Sequence, residues 1–261
     1  MTESTRIHAT AAVDAGAQLG SGVSVGPFAV IEADTLIGDG CRIGAHAVIR
    51  RYTRLGARCR VWDHAVLGGE PQDVKFSDDA SYLEIGADNL IREGVTIHRS
   101  SEKDGRTVVG DANFLMANCH VAHDCRIGSR VIVANGALLA GYVTVGDRAF
   151  ISGNVVVHQF ARIGTLAMVS GLARISQDCL PYIVTEGSPA RARALNLVGL
   201  RRAGLSAGEI GALKQAFRVL LRSGLRLPEA LAHLEAVGSP HVQELVAFVR
   251  SANRGFSHGM A

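Results

Sequence analysis

Ile7, Val13, Leu19, Val25, Ile31, Ile37, Ile43, Ile49, Leu55, Val61 and Leu67 stand six residues apart, and every one is Ile, Leu or Val. The register resumes at Ile85, Ile91 and Ile97. It resumes again at Val109, Leu115, Val121, Ile127, Val133, Leu139, Val145, Ile151, Val157, Ile163, Val169 and Ile175. A period of this kind marks a repeat architecture in which each unit buries its apolar side only by stacking on its neighbours. Two residues before most of these positions the side chain is small, as at Ala11, Ala29, Thr35, Ala47, Thr53, Ala65, Ala137 and Ala161. Alternation along a strand points both residues to the same side. The pattern therefore predicts a narrow prism, with one large and one small inward residue on each side of each coil.

Gly20, Gly38, Gly56, Gly110, Gly128, Gly146 and Gly164 follow the aliphatic residue at one phase of an 18-residue cycle. They predict three short strands per coil and one corner column of glycine, with positive φ expected there. Residues 7–180 then make about ten coils of parallel strands, roughly 45 Å tall at ~4.8 Å per coil. The pattern breaks at about Glu70–Leu83 and at Ser100–Thr107, and both breaks predict loops on a functional face. All five cysteines, Cys41, Cys59, Cys119, Cys125 and Cys179, fall at the small inward position and read as buried reduced thiols.

The bulk numbers agree with such a core. Of 261 residues, 48% are hydrophobic and only 5% aromatic, with 30 glycines. A net charge of +3 is too small to argue for a nucleic-acid partner. The N-terminal stretch has no signal-peptide pattern, and no apolar run is long enough to span a membrane, so the expected location is the cytoplasm.

The hexads stop after Pro181. Ser188-Pro189 opens a new segment, Ser206-Ala-Gly-Glu209 is a capping box, and Pro228 and Ser239-Pro240 mark further helix starts. Two domains are expected, a β-solenoid over 1–187 and a small helical domain over 188–261. From Arg191 to Arg226 eight basic residues face one acid, Glu209. That run is either a solvated helix face or a dock for an acidic partner or a nucleotide phosphate.

Four histidines sit in dense motifs. In Asn118-Cys-His120-Val-Ala-His123-Asp124-Cys125, His123 lies at a corner beside a carboxylate, an arrangement suited to a general base with an orienting acid. Thr96-Ile-His98-Arg99 and Val157-His158-Gln159-Phe160 place histidine directly after the aliphatic residue, where glycine is commonest. Such a displacement suggests backbone strain kept for function. His46 and His64 read as corner histidines without a role. Residues on separate faces of one prism converge only across a subunit interface, which predicts a homotrimer with three clefts.

The hexapeptide pattern resembles the left-handed parallel β-helix acyltransferases. Nearly the whole chain is similar to the bacterial UDP-N-acetylglucosamine acyltransferases of lipid A biosynthesis. The matching stretches are Gly69-Glu70-Pro-Gln72-Asp73-Val-Lys75, Ile91-Arg92-Glu93-Gly-Val-Thr96-Ile-His98-Arg99, His120-Val-Ala-His123-Asp124-Cys125, Leu139-Ala-Gly141, His158-Gln159-Phe160 and Asn196-Leu-Val-Gly199-Leu-Arg-Arg202. The resemblance implies a left-handed coil, against the usual right-handed crossover. It also implies transfer of a 3-hydroxyacyl chain from acyl carrier protein to the sugar 3-hydroxyl, without a metal or other cofactor. His123 would be the base, Asp124 its orienter and the Gly141 N–H the oxyanion donor. Asp73, Lys75, His98, His120, His158 and Gln159 would bind substrate. Asn196 and Arg202 would face the nucleotide, and Gly171 would set acyl length.

The chain departs from that family at Tyr142, where histidine is usual and a sugar contact is implied, and at Val198 and Ala203 on the nucleotide side. The first departure raises an alternative, N-acylation of a 3-amino sugar nucleotide. A second, from another class, is a zinc carbonic anhydrase on the same prism with His98, His120 and His123 as ligands. A purely structural repeat is a third.

Overall fold

A computed structural model describes residues 4–258. From Arg6 to Glu186 the chain winds through strands mostly two residues long that stack into three sheets. Among the described residues the first sheet has 11 strands, the second 9 and the third 8. Successive strands of a sheet come from successive coils and pair in parallel register, as Val121 with Ile97 below and Leu139 above. The large and small inward residues are almost all fully buried and form one continuous core. All five cysteines are buried and free within it.

The glycine column is complete. Gly20, Gly38, Gly56, Gly86, Gly110, Gly128, Gly146 and Gly164 follow the eight strands of the third sheet. The reason differs from the one expected, because none of these glycines has a positive φ. Their need is close approach: a Cβ on Gly38 would sit 2.7 Å from the Ala57 nitrogen and 2.8 Å from the Gly56 carbonyl carbon. The left-handed residue is the third after the aliphatic position. There the chain places Phe28, Asp34, His46, Tyr52, Arg58, His64, Asp124, Tyr142 and Phe160, all with φ between 55° and 66°. His98 and His158 are not among the positive-φ residues, so the strain expected at those two histidines is absent.

Both interruptions leave the same edge of the prism. The longer runs from Val66–Gly69 in the second sheet to Tyr82–Ile85 in the third, and the shorter from Thr96–His98 to Arg106–Val109, one coil higher. The longer loop is clamped to the prism through Asp78. Arg51 and the buried Arg99 both reach that carboxylate, at 2.7 and 2.5 Å, and the Arg99 guanidinium lies 5.0 Å from the Phe76 ring centroid.

Beyond Ser188-Pro189 the first element is a strand, Arg191–Leu195, rather than a helix. It runs antiparallel to Ile183–Glu186 and ends the first sheet. The alternation in Arg-Ala-Arg-Ala-Leu suits a strand with one face on the core. Among the described residues four helices follow: α1 Leu197–Arg202, α2 Ala207–Arg222, α3 Leu227–Glu235 and α4 Pro240–Arg250. The Ser206–Glu209 capping box opens α2 as expected, and Pro228 and Pro240 lie in the first turns of α3 and α4. A second core joins Leu166, Leu180, Tyr182 and Ile183 of the last coils to Leu200, Leu213, Leu234, Leu245 and Val249 of the helices.

Close approach and left-handed φ make different demands, and Gly38 and Gly40 separate them. Gly38→Ala is expected to cost about 1–3 kcal/mol through overpacking against the next coil. Gly40 has φ +67° with only Arg58 Cγ near its missing Cβ, at 3.6 Å, so Gly40→Ala should cost about 1 kcal/mol in strain alone. Urea denaturation of both variants checks this. A Gly38→Ala midpoint equal to that of wild type would contradict the close-approach account.

Candidate active site

The second sheet and its edge toward the third sheet carry the candidate chemistry. Outward from the sheet stand Thr96, His120, Leu138 and Val156, one above another in consecutive coils. His98, Gly141 and Gln159 follow the inward residues Ile97, Leu139 and Val157 at that edge. With Gln72 from the longer loop and His123, the residues His98, His120, Leu138, Gly141, Val156 and Gln159 line a groove of about 630 Å³. One wall is imidazole and amide, and the rest is Leu138, Leu139, Ala140, Val156 and Val157. His98, His120 and His123 therefore meet within a single chain, on one face, and need no subunit boundary to do so.

At His123 the turn places the ring across the edge, and the left-handed Asp124 folds its carboxylate back beside it. His123 Nδ1 and Asp124 Oδ2 are 2.8 Å apart. Oδ2 also accepts from Ser101 N–H at 3.1 Å and Ser101 Oγ at 2.7 Å. Oδ1 accepts from Ser100 Oγ, and the Asp124 N–H donates to Thr107 Oγ1 at 2.7 Å. Burial opposes ionisation of Asp124, but the bonds from Ser100, Ser101 and His123 together hold its carboxyl below its ordinary value. An ionised carboxylate only accepts, so His123 Nδ1 is the donor, and in the neutral ring Nε2 carries the lone pair. That nitrogen faces the next coil at Gly141, where a Cβ would lie 2.6 Å from Cε1 and 2.8 Å from Nε2. Glycine at 141 is what lets the backbone lie against the ring.

His98 and His120 pack edge to face with centroids 4.6 Å apart. His120 Nδ1 lies 2.7 Å from Thr96 Oγ1, whereas the buried His98 Nδ1 has no partner among the described residues. Burial, then the neighbouring His120 and His123, push the His98 pKa down to about 4. Burial and His123 lower that of His120. Both rings are neutral near pH 7 and can accept or donate hydrogen bonds to a polar ligand. Among the described residues no group of three or more His, Cys, Asp or Glu is arranged to hold a metal ion.

A matching model for the bacterial transferase hexapeptide covers residues 16–51, 34–69 and 106–141, and one for the second domain of UDP-N-acetylglucosamine O-acyltransferase covers 178–257. The chain is 46% identical over 258 residues to the acyl-[acyl-carrier-protein]–UDP-N-acetylglucosamine O-acyltransferase of Paraburkholderia phymatum, spanning 96% of this chain and 98% of that one. The crystal structure of the UDP-N-acetylglucosamine acyltransferase of Bacteroides fragilis superposes with TM-score 0.93 at 40% identity, over 95% of this chain and 98% of that one. The Campylobacter jejuni enzyme gives 0.93 at 37% identity, over 98% and 100%. The chain belongs to the UDP-N-acetylglucosamine O-acyltransferase family. Its three-sheeted coil is that family's left-handed parallel β-helix.

Not every residue singled out by the family resemblance lies in the groove. Asp73 accepts from the Lys75 N–H at 2.9 Å in a tight turn of the longer loop, and Lys75 is exposed. His158 is exposed at the edge and turns Nδ1 toward the Gln159 carbonyl, 3.0 Å away. Tyr142 stands outside the groove lining. Its hydroxyl donates to Glu102 Oε1 at 2.8 Å, and its ring stacks on Phe160. Gly171 sits exposed at the edge between the first and second sheets, where a Cβ would make ordinary contacts with Gly153 O at 3.5 Å and Ser152 Cβ at 3.9 Å. The fold therefore does not require glycine there.

Asn196 and Arg202 line a different cavity, of about 830 Å³, between the outside of the first sheet and α1, together with Arg130, Arg148, Phe150, Met168 and Val198. Asn196 also caps α1 through Gly199 N–H at 3.0 Å and donates to Leu166 O at 2.8 Å. The sequence reading missed Ser100 and Ser101, the donors on Asp124. Their only signal was position, since they open the second interruption.

The lowered pKa of His98 has a measurable consequence. An unfolded histidine titrates near pH 6.5, the folded one near 4. Between those values the unfolded chain binds a proton that the folded chain refuses. The stability involved is complete above the unfolded pKa and is lost as pH falls toward the folded one. In His98→Gln, the slope of unfolding free energy against pH across that window should shrink by about one proton. Chemical denaturation between those limits reads the slope, and a slope unchanged from wild type would contradict a buried neutral His98.

Proposed function

We propose that this chain transfers a 3-hydroxyacyl group from acyl carrier protein to the 3-hydroxyl of UDP-N-acetylglucosamine, the first step of lipid A synthesis. The observation that carries the reading is the His123–Asp124 pair, gripped by Ser100 and Ser101 and facing Gly141 across an apolar groove. His123 Nε2 takes the proton of the sugar hydroxyl as its oxygen attacks the thioester carbonyl. The Gly141 N–H supports the oxyanion, a contribution of about 3 kcal/mol for a well-placed donor. Collapse breaks the carbon–sulfur bond, and the imidazolium returns its proton to the carrier thiolate. Asp124 stabilises the imidazolium between these steps. His98, His120, Gln159, His158, Asp73 and Lys75 bind the sugar nucleotide and acyl chain, and Gly171 leaves room for the chain's end.

Asn196 and Arg202 serve the nucleotide in this reading if the first sheet of one subunit meets the second sheet of another. Surface chemistry supports a homotrimer of that kind. From the fifth coil upward the outward residues of the first sheet are Leu90, Phe114, Ile132, Phe150 and Met168, above Arg6, Ser24, Arg42 and Arg60, and those of the second include Val30, Val48, Val66, Leu138 and Val156. The third sheet shows Arg54, Glu84, Arg126 and Arg162 instead. Two unlike apolar faces on one subunit suit a heterologous ring. The β-helical part, 1–187, then carries the chemistry. The helical part, 188–261, offers Arg193, Lys214, Arg218 and Arg222 around one cavity as a dock for the acidic carrier. Among the described residues no helix is long and apolar enough to cross a membrane.

Product mass tests the reading. With UDP-N-acetylglucosamine, its 3-amino analogue and 3-hydroxyacyl carrier proteins of several lengths, ester on the natural sugar is expected. Product from the amino analogue alone would make the chain an N-acyltransferase. His123→Ala should lower turnover by about 10²–10⁴, and full activity in that folded variant would remove His123 as base. Gly171→Met should shift preference toward shorter acyl chains, read in a competition among carriers. An unaltered preference would take Gly171 out of length selection.

A further inference from the structure

Asp124, Tyr142 and Phe160 occupy the same corner position in three successive coils, each with a left-handed backbone. Tyr142 is thus the residue directly above the orienting carboxylate. Its N–H donates to the His123 carbonyl at 3.0 Å, and its ring lies edge-on to His123 with centroids 5.4 Å apart. Phe160 stacks on its outer side at 4.7 Å. The ring is held on both sides, so the hydroxyl has a defined direction. It points to the shorter loop, donating to Glu102 Oε1 at 2.8 Å and lying 3.3 Å from Ser101 Oγ.

Ser100, Ser101 and Glu102 are consecutive. The first two hold the two oxygens of Asp124, and the Glu102 N–H donates to Ser100 Oγ at 3.0 Å. Glu102 is exposed and lies outside the groove. We propose that Tyr142 and Glu102 form a latch that holds the Ser100–Ser101 donors on Asp124, making Tyr142 a positioning residue for the His123 base rather than a contact of the sugar. The inference rests on the acyltransfer reading for its effect on rate, but the latch itself does not.

Tyr142→Phe removes the hydroxyl and keeps the stack on Phe160, while Glu102→Ala removes the acceptor. Each is expected to lower kcat about five- to tenfold, the scale of one net hydrogen bond, with KM for UDP-N-acetylglucosamine within about twofold. The double variant should be no slower than either single one, because both break the same link. Hydrogen exchange of the segment 100–107 should speed up in both single variants. A raised KM in Tyr142→Phe with Glu102→Ala silent would make the hydroxyl a sugar contact and overturn the latch. So would additive losses, or an unchanged kcat. Should the wild-type protein fail to turn over these substrates, the acyltransfer reading falls. The exchange measurement still decides the latch: unchanged exchange across 100–107 in Tyr142→Phe overturns it.

Discussion

Parallel hydrogen bonding between successive coils, at about 4.8 Å per coil, is the constraint on which the rest of this molecule depends. It places equivalent positions of consecutive coils one above another at hydrogen-bonding distance, whatever their side chains. The inward positions then form continuous columns that only Ile, Leu, Val and small partners fill. The corner after the third sheet brings one backbone so close to the next that a Cβ has no room, and glycine occupies that corner in all eight coils.

The candidate site is built on the same columns. His98 and His120 meet because they stand in adjacent coils, and their shared burial keeps both rings neutral. His123 reaches Gly141 because the next coil passes directly over it. Both extruded loops leave the same edge, so one brings Gln72 to the groove while the other lays Ser100 and Ser101 against Asp124. The rigid scaffold spaces the groups, and the loops complete their hydrogen bonding.

The end of the prism presents a different problem, since a stack of coils exposes its last layer. Leu166, Leu180, Tyr182 and Ile183 are covered there by α1 to α4. Polar contacts fix the orientation. Arg162 pairs with Asp178 and lies 4.2 Å from the Phe248 ring centroid, and Tyr182 reaches Glu244. At the opposite end Ile7 remains 48% exposed.

The six-residue period by itself determined the three-sheeted prism, its inward columns, the buried thiols and the places where loops leave, because each depends only on which residue types recur at a fixed spacing. Ser206–Glu209, Pro228 and Pro240 likewise marked helix starts through local chemistry. The His123–Asp124 pair was legible for the same reason, its members being adjacent in the chain. Tertiary structure alone decided what lies across coils and loops: that His98, His120 and Gly141 share one face, that Ser100 and Ser101 hold Asp124, and that Tyr142 turns to Glu102. The contacts of His98 with His120, of Ser100 and Ser101 with Asp124 and of Tyr142 with Glu102 join residues 22 to 40 positions apart, and their geometry follows from coil and loop paths that no local spacing encodes. The reason for the glycine column also needed the coordinates, since left-handed φ and close approach select the same residue in a sequence and differ only in three dimensions.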